Sequence, residues 1–160
     1  MKALILPAAL AAMAAIPATG RAQLVPESDE PIDITGESLE IIDDVATWTG
    51  KVRAVQGDAI LTAERLIATI GDDGGFSSIR AVGNIRYFNG KEAITGDSAL
   101  YDAGARAITV SDNVVVTQGK TVMTGGALVY WIDTGRISFT APGGQRIRGI
   151  FHAKAAPSQL

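Results

Sequence analysis

The sequence predicts an all-β, repeat-built antiparallel protein, and three observations carry that expectation. A tetrapeptide recurs: Ile34-Thr35-Gly36-Glu37, Leu61-Thr62-Ala63-Glu64, Ile94-Thr95-Gly96-Asp97 and Met123-Thr124-Gly125-Gly126. A spacing of roughly thirty residues belongs to stacked supersecondary units. From Ile32 onward, short runs rich in Val, Ile, Thr and aromatics are cut by Gly, Asn or Asp, at the interval of roughly eight to twelve residues typical of strands. No window past the leader holds an apolar stripe of helical period. The nearest, Leu61 to Ile70 (LTAERLIATI), aligns with copies rich in Thr and Gly and is read as a strand.

Taken in order, the chain opens with Lys2 and an apolar run from Ala3 to Ile16 broken only by Pro7. Pro17 and the small residues Ala18, Thr19, Gly20 and Ala22 follow. This is the layout of a secretory signal peptide over residues 1–22, and the run is too short for a span of ~20 apolar residues. Residues 23–31 (QLVPESDEP) form an acidic, proline-marked lead-in. The β domain is expected over 32–139. Residues 140–160 lose the alternation and read as a tail, in which Ile147 to Phe151 adds one short strand at most.

Within the domain, Gly50 to Gly57, Gly83 to Gly90 and Asp112 to Gly119 align. Each is expected to open on a turn pair (Gly50-Lys51, Gly83-Asn84, Asp112-Asn113) and to close on Gln-Gly or Asn-Gly, a dipeptide suited to a tight hairpin. Alternation places Val52, Ala54, Ile85, Tyr87, Val114 and Val116 on one apolar, inward face. Leu61, Ile94 and Met123 join them from the following strands. The column Ala63, Gly96, Gly125 never carries bulk, which marks a bulge or a close backbone approach. Each repeat is thus expected to turn the same corner in the same way.

Composition narrows the chemistry. Without Lys2 and Arg21 the formal charge falls from −3 to −5, which argues against a nucleic-acid partner. There is no cysteine and one histidine, His152 in the tail, so a metal centre or a catalytic triad has no obvious donors. Asp43-Asp44 and Asp72-Asp73 sit beside turn residues, and strand neighbours point to opposite faces, so they read as turn formers. No glycine-rich stretch has a nucleotide-binding pattern. Nothing assembles a nucleophile, a base and an oxyanion hole. A binder or scaffold without a cofactor is expected, not an enzyme.

Pro31-Ile32-Asp33-Ile34, with Leu39 and Ile41 beyond it, opens an ordered set of motifs. Ala46-Thr47-Trp48-Thr49-Gly50-Lys51-Val52, Gln56-Gly57-Asp58 and Leu61-Thr62-Ala63-Glu64-Arg65-Leu66 follow. The set resembles the LptA/OstA family of periplasmic lipopolysaccharide transport proteins, over roughly Pro31 to Phe139. That resemblance implies a β-jellyroll of two antiparallel sheets in an open, V-shaped sandwich. It implies an apolar groove that receives the lipid A acyl chains of lipopolysaccharide, with Ile32, Ile34, Val52, Ile85, Tyr87, Ile94, Val114, Val116 and Met123 as lining. It also implies a periplasmic bridge of head-to-tail protomers, between an inner-membrane jellyroll sister protein and the outer-membrane translocon. The alternative is an exported structural or adhesive β-repeat protein with a closed core and no lipid affinity. A carbohydrate-processing jellyroll would need exposed aromatics beside paired carboxylates, and no such set is present. Arg53 and Arg86 occupy equivalent outer positions. They read as a solvated ladder that discourages unwanted sheet pairing, the alternative being bidentate contact with phosphate.

Overall fold

A computed structural model describes residues 30–152, and the expected signal peptide, most of the expected lead-in and the last eight residues lie outside them. The strands are β1 (Asp33–Thr35), β2 (Ser38–Ile42), β3 (Val45–Gln56), β4 (Ala59–Ile70) and β5 (Phe76–Phe88). They continue as β6 (Glu92–Asp102), β7 (Ala107–Gln118), β8 (Thr121–Trp131), β9 (Arg136–Thr140) and β10 (Arg148–Ile150). All pairings are antiparallel, and the six long strands β3 to β8 join their neighbours in chain order.

Both edges are split. On the N-terminal side β1 pairs with the second half of β3 and β2 with its first half. On the C-terminal side β9 covers Ala127 to Trp131 of β8, while β10 covers Val122 to Thr124. Hydrogen bonding is continuous, so the two expected sheets are two halves of one unclosed ten-stranded sheet.

The halves meet at a line of corners. Register slips between Thr49 and Val52, Thr62 and Arg65, Val82 and Ile85, Thr95 and Ser98, and Ser111 and Val114. On the odd-numbered long strands the slip falls on a left-handed pair: Gly50 and Lys51 (φ 81° and 46°), Gly83 and Asn84 (85° and 47°), Asp112 and Asn113 (63° and 54°). The expectation that these pairs open strands is therefore corrected. They sit in the middle of strands 12 or 13 residues long. Two successive left-handed residues turn the chain without ending its pairing, and their sequence signature is that of a turn.

The even-numbered strands supply the other side of each corner. A side chain at Gly96 would put its Cβ 2.6 Å from Val110 Cγ1, so the small-residue column is a close approach, as the repeat suggested. The acidic residue that follows ties the corner from outside. Lys51 Nζ lies 2.6 Å from Glu37 Oε1, Asn84 Nδ2 donates to Glu64 Oε1 at 2.6 Å, and Asn113 Nδ2 donates to Asp97 Oδ2 at 2.8 Å. The recurring tetrapeptide is one strand's half of this joint.

The apolar faces of the two halves pack against each other. Towards the C-terminal edge, Ile94, Val114 and Val116 from one half meet Val110, Leu128 and Tyr130 from the other, with Met123, Ile137 and Phe139 around them. Towards the N-terminal edge, Val52 packs with Leu66 and Ala68, flanked by Trp48, Ala54 and Phe76.

Candidate functional site: an apolar trough between the half-sheets

The alternation of each strand resets at its corner. On β4 the inward residues are Ala59, Leu61 and Ala63 before the slip, and Leu66 and Ala68 after it. Each long strand therefore gives apolar side chains to both walls of one interior, and the walls diverge enough to leave a cavity of about 490 Å³.

One wall carries Ile34, Ala54, Leu61, Ile85, Tyr87 and Ile94. The facing wall carries Phe76, Ile79, Ala81, Ala99, Tyr101, Ile108 and Ile132. Gln56 at one lip and Arg106 at the other are its strongly polar members, and Arg106 is held by an ion pair with Asp133. The cavity reaches the N-terminal edge at Ile32 and Ile34. Beyond it Leu39 and Ile41, in register with Trp48 and Ala46, extend the inner apolar face while staying 51% and 60% exposed.

Five of the nine groove residues anticipated from sequence line this space: Ile32, Ile34, Ile85, Tyr87 and Ile94. The other four face the same interior without reaching the cavity. Val52 is locked into the N-terminal cluster, and Val114, Val116 and Met123 belong to the closed C-terminal cluster. The far wall was not assigned from sequence. Its signal is the shift of alternation across the corner, as in the step from Ala63 to Leu66.

Polar groups gather where the trough closes. Burial pushes the Tyr87 phenol up to about 12, with the Asn89 side chain acting the other way. Glu92, at the start of β6, is 4% exposed. It accepts from Gln118 Nε2 at 2.5 Å, and its backbone N–H donates to Asn89 Oδ1 at 2.8 Å. Burial raises its carboxyl above the usual range, against smaller opposing effects from Asn89 and Lys91.

The residues singled out for other chemistry lie apart. Asp43-Asp44 and Asp72-Asp73 are in turns, where Asp73 Oδ1 accepts from the N–H of Gly75 at 2.9 Å. His152 Nδ1 lies 3.0 Å from the Lys120 carbonyl. Among the described residues no three His, Cys, Asp or Glu side chains converge as metal ligands, and no helix is long and apolar enough to cross a membrane.

Residues 33–136 match the family described as LptA/(LptD N-terminal domain) LPS transport protein. An uncharacterized protein of Rhizobium meliloti (strain 1021) is 30% identical over 129 residues, 74% of this chain and 69% of its own length. Among solved structures, the chain resembles LptH from Pseudomonas aeruginosa, described as the LptA homologous periplasmic component of the conserved lipopolysaccharide transport device. The TM-score is 0.67 at 21% identity, over 78% of this chain and 96% of that one, and the likeness is one of fold.

Proposed function

This chain belongs to the LptA/LptD N-terminal domain family of LPS transport proteins, and from that premise we propose that it carries lipopolysaccharide by holding the lipid's acyl chains in the trough. One observation supports the reading above the others: the apolar cavity of about 490 Å³ that runs in from the N-terminal edge between the half-sheets. A sandwich serving only as structure would bring its walls into contact. Each methylene withdrawn from water contributes about 0.8 kcal/mol, so even part of an acyl chain is held firmly.

The edges suit serial assembly. Leu39 and Ile41 stay exposed at one end, and Ile150 and Phe151 at the other. Edge strands with free backbone groups and uncovered apolar side chains are the materials of strand addition. A head-to-tail series of copies would then continue one trough across the periplasm, from an inner-membrane jellyroll partner to the outer-membrane translocon. Residues 1–22, read as an export signal, lie outside the described residues. Transport by this route calls for no catalytic residue in this chain.

The experiment is photo-crosslinking to lipopolysaccharide with probes at Ile34, Leu61 and Tyr87, and outward controls at Arg80 and Asn113. Adducts at the three inner positions alone are expected. Uniform labelling, or none inside, would replace the lipid conduit with the structural β-repeat reading.

A further inference from the structure

The outer face of the half-sheet built from β1, the second halves of the odd strands, the first halves of the even ones and β10 carries two ordered rows. Alternation turns these residues away from the inward set Ala54, Leu61, Tyr87, Ile94 and Val116. Strand by strand, the first row pairs Val55 with Ile60, Ile60 with Phe88, Phe88 with Ala93, and Val122 with Ile150. Thr117 bridges Ala93 to Val122, and Asp33 stands at the β1 end. The second row, one step towards the corners, sets Arg53, Arg86 and Arg148 among Thr35, Thr62, Thr95, Val115 and Thr124. The corner acids Glu37, Glu64 and Asp97, one outer step beyond, are engaged by Lys51, Asn84 and Asn113. Eight strands at ~4.8 Å spacing give each row a length of roughly 33 Å.

None of the first row is buried, and Phe88 and Ile150 remain 47% and 42% exposed. The adjoining hairpin turns add Lys91 and Lys120 against one acid, Asp58. The other half-sheet differs. Its turns carry Asp43, Asp44, Asp72, Asp73 and Asp133 against Arg106, and its outer rows carry Glu40 and Asp102 against Arg65, Arg80 and Arg136. The first half therefore presents a cationic, apolar-striped band away from the corners, and the acids of the other half gather in its turns.

We propose that the cationic half-sheet is a docking face for an anionic lipid surface. The arginines and turn lysines meet headgroup phosphates, while Phe88, Ile60 and Val55 enter the headgroup boundary. An apolar stripe flanked by Lys and Arg is the chemistry of interfacial binding. The commitment to a lipid surface rests on charge, since each cationic side chain near such a surface contributes separately and no concave pocket is needed. The acidic turns of the other half keep that side away, which fixes the protein's orientation on the surface. Val55 also borders the trough, and the other residues of the two rows are separate from it.

The test is co-sedimentation of the mature protein with phosphatidylcholine vesicles, with and without phosphatidylglycerol. Binding is expected only with the anionic lipid, and is expected to weaken with salt. R53E/R86E should lower the partition roughly 30-fold or more. Phe88→Ser should lower it less and leave the salt dependence intact. R65E/R80E, on the outer side of the other half-sheet, should change nothing. Equal binding to both vesicles, no binding, or equal loss in the two arginine pairs would overturn the proposal. Displacement of a fluorescent fatty acid reads the trough independently, so R53E/R86E is expected to leave it unaltered and failure of either proposal is seen separately.

Discussion

Glu64 closes over Gly83 at the corner where β4 meets β5. A Cβ on Gly83 would lie 2.5 Å from the Glu64 Oε2 and 2.8 Å from its Cβ, and the same carboxylate accepts from the neighbouring Asn84. The acid at the end of the recurring tetrapeptide thus serves as lid and hydrogen-bond acceptor for the left-handed pair across from it.

Gly83→Ala is accordingly expected to be among the costlier single-methyl additions in the protein. Ala at φ 85° is strained, and its Cβ meets carbon of Glu64 as well as oxygen. A loss of about 2–4 kcal/mol is expected. Urea unfolding measures it, and E64A/G83A should be somewhat less unstable than the sum of its parts, because the carboxylate contacts go while the Cβ contact at 2.8 Å stays. Asn84→Gly, which removes the hydrogen bond but keeps a residue at ease at φ 47°, should cost about 0.5–1.5 kcal/mol. Asn84→Ala, strained there as well, should cost about 1–2 kcal/mol more.

The small column makes a second coupled pair. Gly96 faces Val110 Cγ1 at a distance that no side chain can share, and Val110 is core. Gly96→Ala is expected to lose about 1–3 kcal/mol through overpacking. Val110→Ala should lose a similar amount through a cavity. In the double variant the new methyl occupies the vacated space, so a double-mutant cycle should give a favourable coupling of about 1 kcal/mol or more. Simple additivity would mean that the corner relaxes by backbone movement.

The repeat was legible because corner chemistry is local. A left-handed pair demands Gly, Asn or Asp, and a close approach demands a small residue, so both leave marks at fixed positions. Their meaning was less legible. Gly83-Asn84 looks the same whether the chain reverses there or bends while staying paired, and only the partner strand decides. The trough's near wall was readable from simple alternation through Ile85 and Tyr87. The far wall was not, because the shift between Ala63 and Leu66 interrupts the period. Alternation also cannot separate Ile94, which touches the cavity, from Val116, which packs in the cluster beside it, since both point inward and differ only in how far the walls stand apart.

Glu92 gives the protein a pH dependence of definite sign. Its folded carboxyl is raised by burial, so the folded state holds this proton more tightly than the unfolded chain does. That contribution is complete below the ordinary carboxylate range and is lost as pH rises through the raised value. Tyr87, Asn89, Lys91 and Gln118 surround the group, and Glu92→Gln keeps an acceptor for Gln118 without a charge. The variant should melt a few degrees above the parent at neutral pH and level with it at pH ~4. A uniform shift at both would trace the effect to packing.

The trough and the core beside it should respond to mutation in opposite ways. Ile34 stands half-buried on an edge strand of three residues, so Ile34→Asp is expected to cost about 1 kcal/mol or less of stability while strongly weakening displacement of a fluorescent fatty acid. Val116 is 4% exposed within the closed cluster, and an aspartate there buries an unpaired charge, so Val116→Asp should lose several kcal/mol and abolish binding only by unfolding. Ala99 lines the open space, so Ala99→Leu can place its added carbons in the cavity instead of in a filled core. Its melting temperature should hold or rise, while affinity for long chains falls more than affinity for short ones. Loss of stability without that change in chain-length preference would mean that the cavity is not where the chain lies.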